Sequence, residues 1–458
     1  MHGFLRCATI FKVGKWFVAG VLAIALFGCF SAAMSPKEAF AKDSGALKSA
    51  EVDSANAKAA SSMKPAAKTP SVTITPKTQT PNKNLRKSNT YTKQLRNYWV
   101  MSYYMQLFEK MGGGTITLKK GTYQLPVSVK VPSNVTIVLE DGVIVKKTRK
   151  TGTSRVSSNT PLFQMVSPNK YKKKNAVKRY NGTKNVSIVG KGTAILDMSY
   201  VPHSCAIIMA QNQNMSFSGI TFQHLNGHAF ELDASKNVTI DNCVFKNGKG
   251  GKTTEAINLD TPDKNTGGFG FRWSKFDKTP NNGVTISNCT FSNVVRGIGT
   301  HKYSQTSSGQ NVMHSNITIV NNTFEKIKGL EGCVVPYNWE HVTIEENTFI
   351  GTGQVSNTYA IVAHSVQDAT IANNTISDFE CTVLVRRGFV SSGYEAPAEV
   401  SLSDLQLRAL TTNKYIDGTV AYSDAAVTSG TYYYSKMIGV WQPSTIAKNF
   451  DFYQLSAA

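Results

Sequence analysis

The sequence predicts an all-β chain wound as a parallel β-helix, and three observations carry the prediction. Short apolar anchors recur in order: Val186-Ser187-Ile188, Met215-Ser216-Phe217, Val238-Thr239-Ile240, Val284-Thr285-Ile286, Ile317-Thr318-Ile319, Val342-Thr343-Ile344 and Ala369-Thr370-Ile371. They return about every 23–33 residues, with one longer gap, which is the spacing of a solenoid. Most are followed by Asn242-Cys243, Asn288-Cys289, Asn321-Asn322 or Asn373-Asn374, and then by a second apolar run such as Ala256-Ile257-Asn258-Leu259-Asp260. Short strands broken by Asn and Gly, with almost no helical period, stack as β-coils rather than as helical repeats.

The chain has 458 residues, enough for one large repeat domain with tails. Arg6, Lys12 and Lys15, the apolar run Trp16–Phe30 and Ala39-Phe40-Ala41 read as a secretory signal peptide over residues 1–41. The apolar run is short for a membrane span. Leu26-Phe27-Gly28-Cys29 loosely resembles a lipobox, which leaves lipidation of Cys29 open. The formal charge is +21; the leader holds four cations and one acid, so its removal leaves +18. An exported chain of this charge meets polyanions. Five cysteines remain after residue 41, an odd number without CxxC spacing, which excludes a disulfide framework and a cysteine zinc site.

Residues 42–90 are rich in Ala, Ser, Thr, Lys and Pro and read as a disordered basic linker. Residues 91–111 follow as an amphipathic capping helix, stopped by Gly112-Gly113-Gly114. A solenoid end needs such a cap, because its strand edges and core are otherwise open. The β-helix domain, cap included, spans 91–388, and residues 389–458 read as a C-terminal cap or small β-rich tail. Three insertions interrupt the repeat, one of them the polar stretch Lys302–Ser315. Residues 146–184 carry Lys170, Lys172, Lys173, Lys174, Lys178 and Arg179; residues 261–283 carry Phe269, Phe271, Arg272, Trp273 and Phe276. Loops on one face of a solenoid form binding walls, and Trp273 is a candidate to stack on a sugar ring.

Alternation within a strand sorts the second run of each repeat into faces. Taking Ile207, Phe230, Ile257, Ile298, Val334, Ile361 and Val383 as inward leaves three outward rows. The first is small: Ala206, Ala229, Ala256, Gly297, Cys333, Ala360 and Thr382, a floor that a ligand approaches closely. The second holds Ile208, Glu231, Asn258, Gly299, Val335, Val362 and Leu384, and the third Ala210, Asp233, Asp260, His301, Tyr337, His364 and Arg386. His228, Glu255, Arg296 and Tyr359 sit on the near edge. Neighbouring rungs lie about 4.8 Å apart, so Asp233 and Asp260 stand side by side. Two carboxylates that close divide into a protonated and an ionised group, the division glycosidic cleavage uses. The alternative is an ordinary polar face with its acids paired to arginines.

Gly190-Lys191-Gly192-Thr193-Ala194-Ile195-Leu196-Asp197 resembles the opening motif of polygalacturonase-type glycoside hydrolases, in the pectate-lyase-like superfamily of right-handed parallel β-helices. Thr254-Glu255-Ala256-Ile257-Asn258-Leu259-Asp260 sits where that family has Asn-Thr-Asp-Gly-x-Asp, which implies Glu255 on its first acid and Asp260 near its second. Arg296-Gly297-Ile298-Gly299 resembles the family's His-Gly stretch, with Arg in place of His; the family's Asp-Asp pair and Arg-x-Lys motif are missing. The resemblance covers roughly residues 112–388. The fold it implies also hosts lyases, fructotransferases, tailspikes and adhesins, so it does not fix the chemistry.

The resulting expectation is a secreted, monomeric, polysaccharide-cleaving glycosidase. Asp233, Glu255, Asp260 and His301 are its catalytic candidates; His228, Glu231, Asn258, Trp273, Arg296, Tyr337, His364 and Arg386 are its substrate-binding candidates. The partner is a polysaccharide, acidic if uronate-based, with an anionic cell wall reached through the basic linker and no nucleic acid. No cofactor is expected, calcium entering only with a lyase. Two alternatives stand beside it: a polysaccharide lyase on a uronate polymer and a non-catalytic, surface-bound glycan adhesin.

Overall fold

The computed structural model describes residues 69–263, 270–300, 305–329, 331–351, 359–379, 381–388, 397–416, 427–429, 432–434 and 438–441. The signal peptide, Cys29 and linker residues 42–68 lie outside them. Three parallel sheets stack coil upon coil. The first holds ten strands, from Ser71–Ile74 to Gln367–Ala372; the second holds ten, from Gly121–Leu125 to Lys414–Ile416; the third holds twelve and begins at Val129–Lys130.

The repeated anchors are the strands of the first sheet. Val186 pairs with Met215, and the register runs unbroken through Val238, Val284, Ile317 and Val342 to Ala369. Their apolar residues point into one continuous core. There they meet a ladder of rings from the second sheet. Phe222, Phe245, Phe291, Phe324 and Phe349 stack on successive coils at 4.7–5.0 Å between centroids, with planes within 9° of parallel. The turn between these sheets carries a second ladder. Cys289 N donates to Asn322 Oδ1, Asn322 N to Asn347 Oδ1, Asn347 N to Asn374 Oδ1 and Asn374 N to Asn413 Oδ1, at 2.9–3.1 Å. Each amide serves backbone groups that the turn would otherwise bury unpaired.

The cap is a helix, Arg96–Met111, that buries Val100, Met101, Met105 and Phe108 on the first coil. It stops at Gly112, whose φ of 80° suits glycine and whose N–H bonds Phe108 O. The expected disordered linker is corrected at its C-terminal end. Ser71–Ile74 is a strand, paired in parallel with Gly114–Leu118. Its Val72, Thr73 and Ile74 are β-branched, and Ile74 is buried, so this segment covers an edge the solenoid would leave open. At the other end, Asp404–Ala409 is a helix with a Ser403/Gln406 capping box. Lys414–Ile416 extends the second sheet, and Ile438–Trp441 pairs in parallel with Cys381–Arg386 before two antiparallel strands close the third. Among the described residues no helix is long and apolar enough to cross a membrane.

Candidate active site on the third sheet

The outward face of the third sheet gathers most of the polar residues that alternation selects. Ile208 pairs with Glu231, Glu231 with Asn258, Asn258 with Gly299 and Gly299 with Val335, forming one row. Ala210, Asp233 and Asp260 form the next, and Tyr337, His364 and Arg386 continue its line on later rungs. His301 lies outside the described residues.

The small row is the main correction. It faces the core and is no floor: Ala206, Ala229, Ala256, Cys333 and Ala360 belong to the continuous core, as do the next residues Ile207, Phe230, Ile257, Val334 and Ile361. Two successive residues therefore point inward on each rung. A Cβ on Gly297 would come within 2.6 Å of the Phe324 ring, which is why this row is small. The kink swings the preceding residue outward, so Glu255 lies over Gly299, whose Cβ would meet Glu255 Cγ at 3.3 Å.

Two linked clusters occupy the strip. In the first, Glu231, Asp233 and Asp260 are 6%, 0% and 1% exposed. Asn258 bridges two of them, its Nδ2 donating to Glu231 Oε1 at 3.0 Å and to Asp260 Oδ2 at 3.2 Å. Among the described residues no group hydrogen-bonds either oxygen of Asp233. Burial, then Asp233 and Asp260, raise Glu231 well above the ordinary carboxyl range; burial, then Asp260, do the same to Asp233. His228 borders the cluster. Its Nδ1 donates to Glu255 O at 2.6 Å, and Nε2 faces Glu231 Oε2 at 3.6 Å.

The second cluster centres on arginine. Arg296, 1% exposed, contacts Glu255 Oε1 at 2.6 Å through Nη1 and Glu331 Oε2 at 3.0 Å through Nη2. Glu331 also faces Tyr337 Oη at 3.4 Å, Arg386 Nη2 at 3.6 Å and His364 Nε2 at 3.9 Å. Tyr337 and His364 stack in parallel, 4.0 Å between centroids. Arg386 Nε donates to His364 Nδ1 at 3.2 Å, which fixes the neutral tautomer with its proton on Nε2. Burial, then Arg386 and Arg296, hold His364 well below the usual histidine range. Glu255 is thereby tied up as an ion-pair partner, unlike the free catalytic acid expected of it.

Trp273 does not line the strip as an open stacking platform. It is 2% exposed and packs with Val166, Val177, Ile208 and Ala210, tying insertions 146–184 and 261–283 to the start of the strip. Glu331 escaped the strand-based reading because it precedes its strand, in a turn at φ 74°. Its signal in the sequence is an acid between Gly329 and Gly332, three residues before the strand Val334–Val335. Among the described residues no group of three or more His, Cys, Asp or Glu is arranged to hold a metal ion.

A family model described as right handed beta helix region matches residues 205–376. The chain is 26% identical over 241 residues to plasmin and fibronectin-binding protein A of Streptococcus pneumoniae, covering 47% of this chain and 32% of that one; it thus spans about a third of that relative's length. Among solved structures it is similar to PfbA, a surface adhesin of Streptococcus pneumoniae, with 19% identity, 72% and 76% of the two chains covered and a TM-score of 0.52. The family 28 exopolygalacturonase of Yersinia enterocolitica matches at 12% identity over 79% of this chain and 67% of its own, with a TM-score of 0.47. The chain is a right-handed parallel β-helix, its parallel coils as the repeats predict and its hand as the resemblance implies.

Proposed function

We propose that this protein is an exported glycosidase that cleaves a polysaccharide along the outward strip of the third sheet. One observation carries the reading: Glu231, Asp233 and Asp260 are buried side by side on an outward face, with Asn258 and His228 as their polar neighbours. Three buried carboxylates cannot all ionise; the group keeps at least one proton at neutral pH. A solenoid needs no such group for stability. A carboxyl that holds its proton at pH 7 is what protonation of a glycosidic oxygen requires.

Glu231 is the acid in this reading. It is the least buried of the three and lies beside His228 on the near edge. Asp260, paired in register with Asp233 on the adjoining rung and held by Asn258, is the second carboxyl in this reading. Asn258 orients Glu231 and Asp260 together. Tyr337 with His364, and Arg386 with Glu331, position the chain further along the strip. Arg296 is engaged by Glu255 and Glu331, so it is poorly placed to take the proton a lyase must remove.

The test is release of new reducing ends from a panel of polysaccharides. Glu231→Gln keeps the bond from Asn258 but removes the proton; turnover falls by about two to four orders of magnitude, with binding retained. Undiminished turnover in the variant removes Glu231 from the chemistry. A second reading, a surface-exposed glycan-binding strip without turnover, is favoured by the near-complete burial of Asp233 and Asp260 and by the adhesins among the similar proteins. Tight binding with no product after long incubation decides for it. Either reading places the protein outside the cell or on its surface.

A further inference from the structure

The described parts of insertions 146–184 and 261–283 form one wall. Val177 N donates to Trp273 O at 3.1 Å, Lys275 N to Val177 O at 3.0 Å and Asn175 N to Arg272 O at 2.9 Å, so segments a hundred residues apart in the chain pair like strands. Below, Val166, Val177 and Trp273 pack on Ile208 and Ala210, the rung directly before Glu231 and Asp233. On the same two segments Lys170, Lys172, Lys173, Lys174, Arg179 and Arg272 are all exposed. None of these six makes an ion pair with an acid among the described residues. Cations carried on segments anchored to an apolar base, rather than on a loose loop, offer a preformed field to a polyanionic chain.

We propose that this wall is an anion-binding site whose ligand is an anionic glycan, bearing carboxylate or phosphate, with its next sugars running onto the carboxyl cluster one rung away. The proposal rests on the strip being a glycan site, and adds what the strip alone does not carry, the charge of the polymer. The neutral or protonated acids of the cluster then meet the sugar beside the one whose charge the wall holds.

The experiment measures binding of the full chain and of K170Q/K172Q/K173Q/K174Q to a polyuronate, a phosphodiester-linked glycan, a neutral glucan and duplex DNA, across salt. The proposal expects an anionic glycan to bind at least about tenfold more tightly than the neutral one. Affinity should fall by roughly ten- to a hundredfold between about 50 and 200 mM salt. The fourfold variant, with an unchanged melting temperature, should lose most of both effects. Which anionic glycan responds identifies the carboxylate or phosphate source. Equal binding of neutral glucan, unaltered binding by the variant, or an equal and equally variant-sensitive hold on duplex DNA overturns the proposal. Product analysis with the unsubstituted chain keeps the two readings apart: variant-sensitive binding without any cleavage leaves the wall standing and sinks the glycosidase, and cleavage of neutral glycans does the reverse.

Discussion

Replacing Arg296 with Met tests the electrostatic arrangement of the strip most severely. Arg296 and Glu255 are 1% and 0% exposed and meet at 2.6 Å. Removing one partner of a buried pair leaves the other charged in a poor solvent, at a cost of about 3–5 kcal/mol. Glu255 can relieve this by protonation. At pH 7 that costs about 1.4 kcal/mol for each unit above its ordinary value near 4.3, about 4 kcal/mol in all, so the two routes agree in scale. Glu331, the second partner, is 29% exposed in its side chain and is solvated by water instead. For a unit of this size the loss lowers the melting temperature by about 5 °C. It should shrink toward zero as pH falls from 7 to about 4.5, because Glu255 then protonates readily. Met fills the space of the arginine stem, so Arg296→Met with Glu255→Gln should recover stability to within about 1 kcal/mol of the parent. Calorimetry on both variants across pH reads each of these. A loss below about 1 kcal/mol at pH 7, or a double variant as unstable as the single one, refutes a buried pair.

Other predictions follow from the same contacts. Asp233, raised by burial and by Asp260, keeps its proton in the folded chain at pH values where the unfolded chain has lost it. Its stabilising contribution is therefore full below about pH 4 and declines by about 1.4 kcal/mol per unit as pH rises toward the folded value. Asp233→Asn should flatten that slope in denaturant titrations from pH 4 to 9, and an unchanged slope contradicts the reading. Asn347→Ala should cost about 2–4 kcal/mol. It strips Asn322 N–H of its acceptor and Ile319 O and Glu345 O of their donors inside the turn; a loss under 1 kcal/mol by chemical denaturation would show the ladder to be dispensable.

The fold was legible because a solenoid writes its register into the sequence. Each Val-Thr-Ile anchor repeats the same environment, and the distance to the next anchor fixes which residues face out. Glu231, Asn258, Asp233 and Asp260 came out of that count as neighbours. The count failed where a strict two-residue period fails. Ala256 and Ile257 both point inward, a kink that the Phe ladder demands and that no local pattern announces. Residues off the strands were harder still. Glu331 acts from a turn, and Trp273 is covered by a partner segment a hundred residues earlier in the chain. Ser71–Ile74 was hidden by its setting, four strand-forming residues following a long polar tract. The ion pair that occupies Glu255 depends on Arg296 replacing the histidine of the resembled motif, a departure visible in the sequence whose consequence is visible only in three dimensions.

The chemistry proposed for the strip requires that a carboxyl group of the Glu231–Asp233–Asp260 cluster keep its proton at neutral pH on an outward face. Infrared difference spectroscopy in light and heavy water reports protonated carboxyl groups directly. At pH 7 the protein should show at least one protonated carboxyl band that weakens or shifts in both Glu231→Gln and Asp233→Asn. A spectrum at pH 7 with every carboxyl ionised, or a protonated band indifferent to both substitutions, contradicts it.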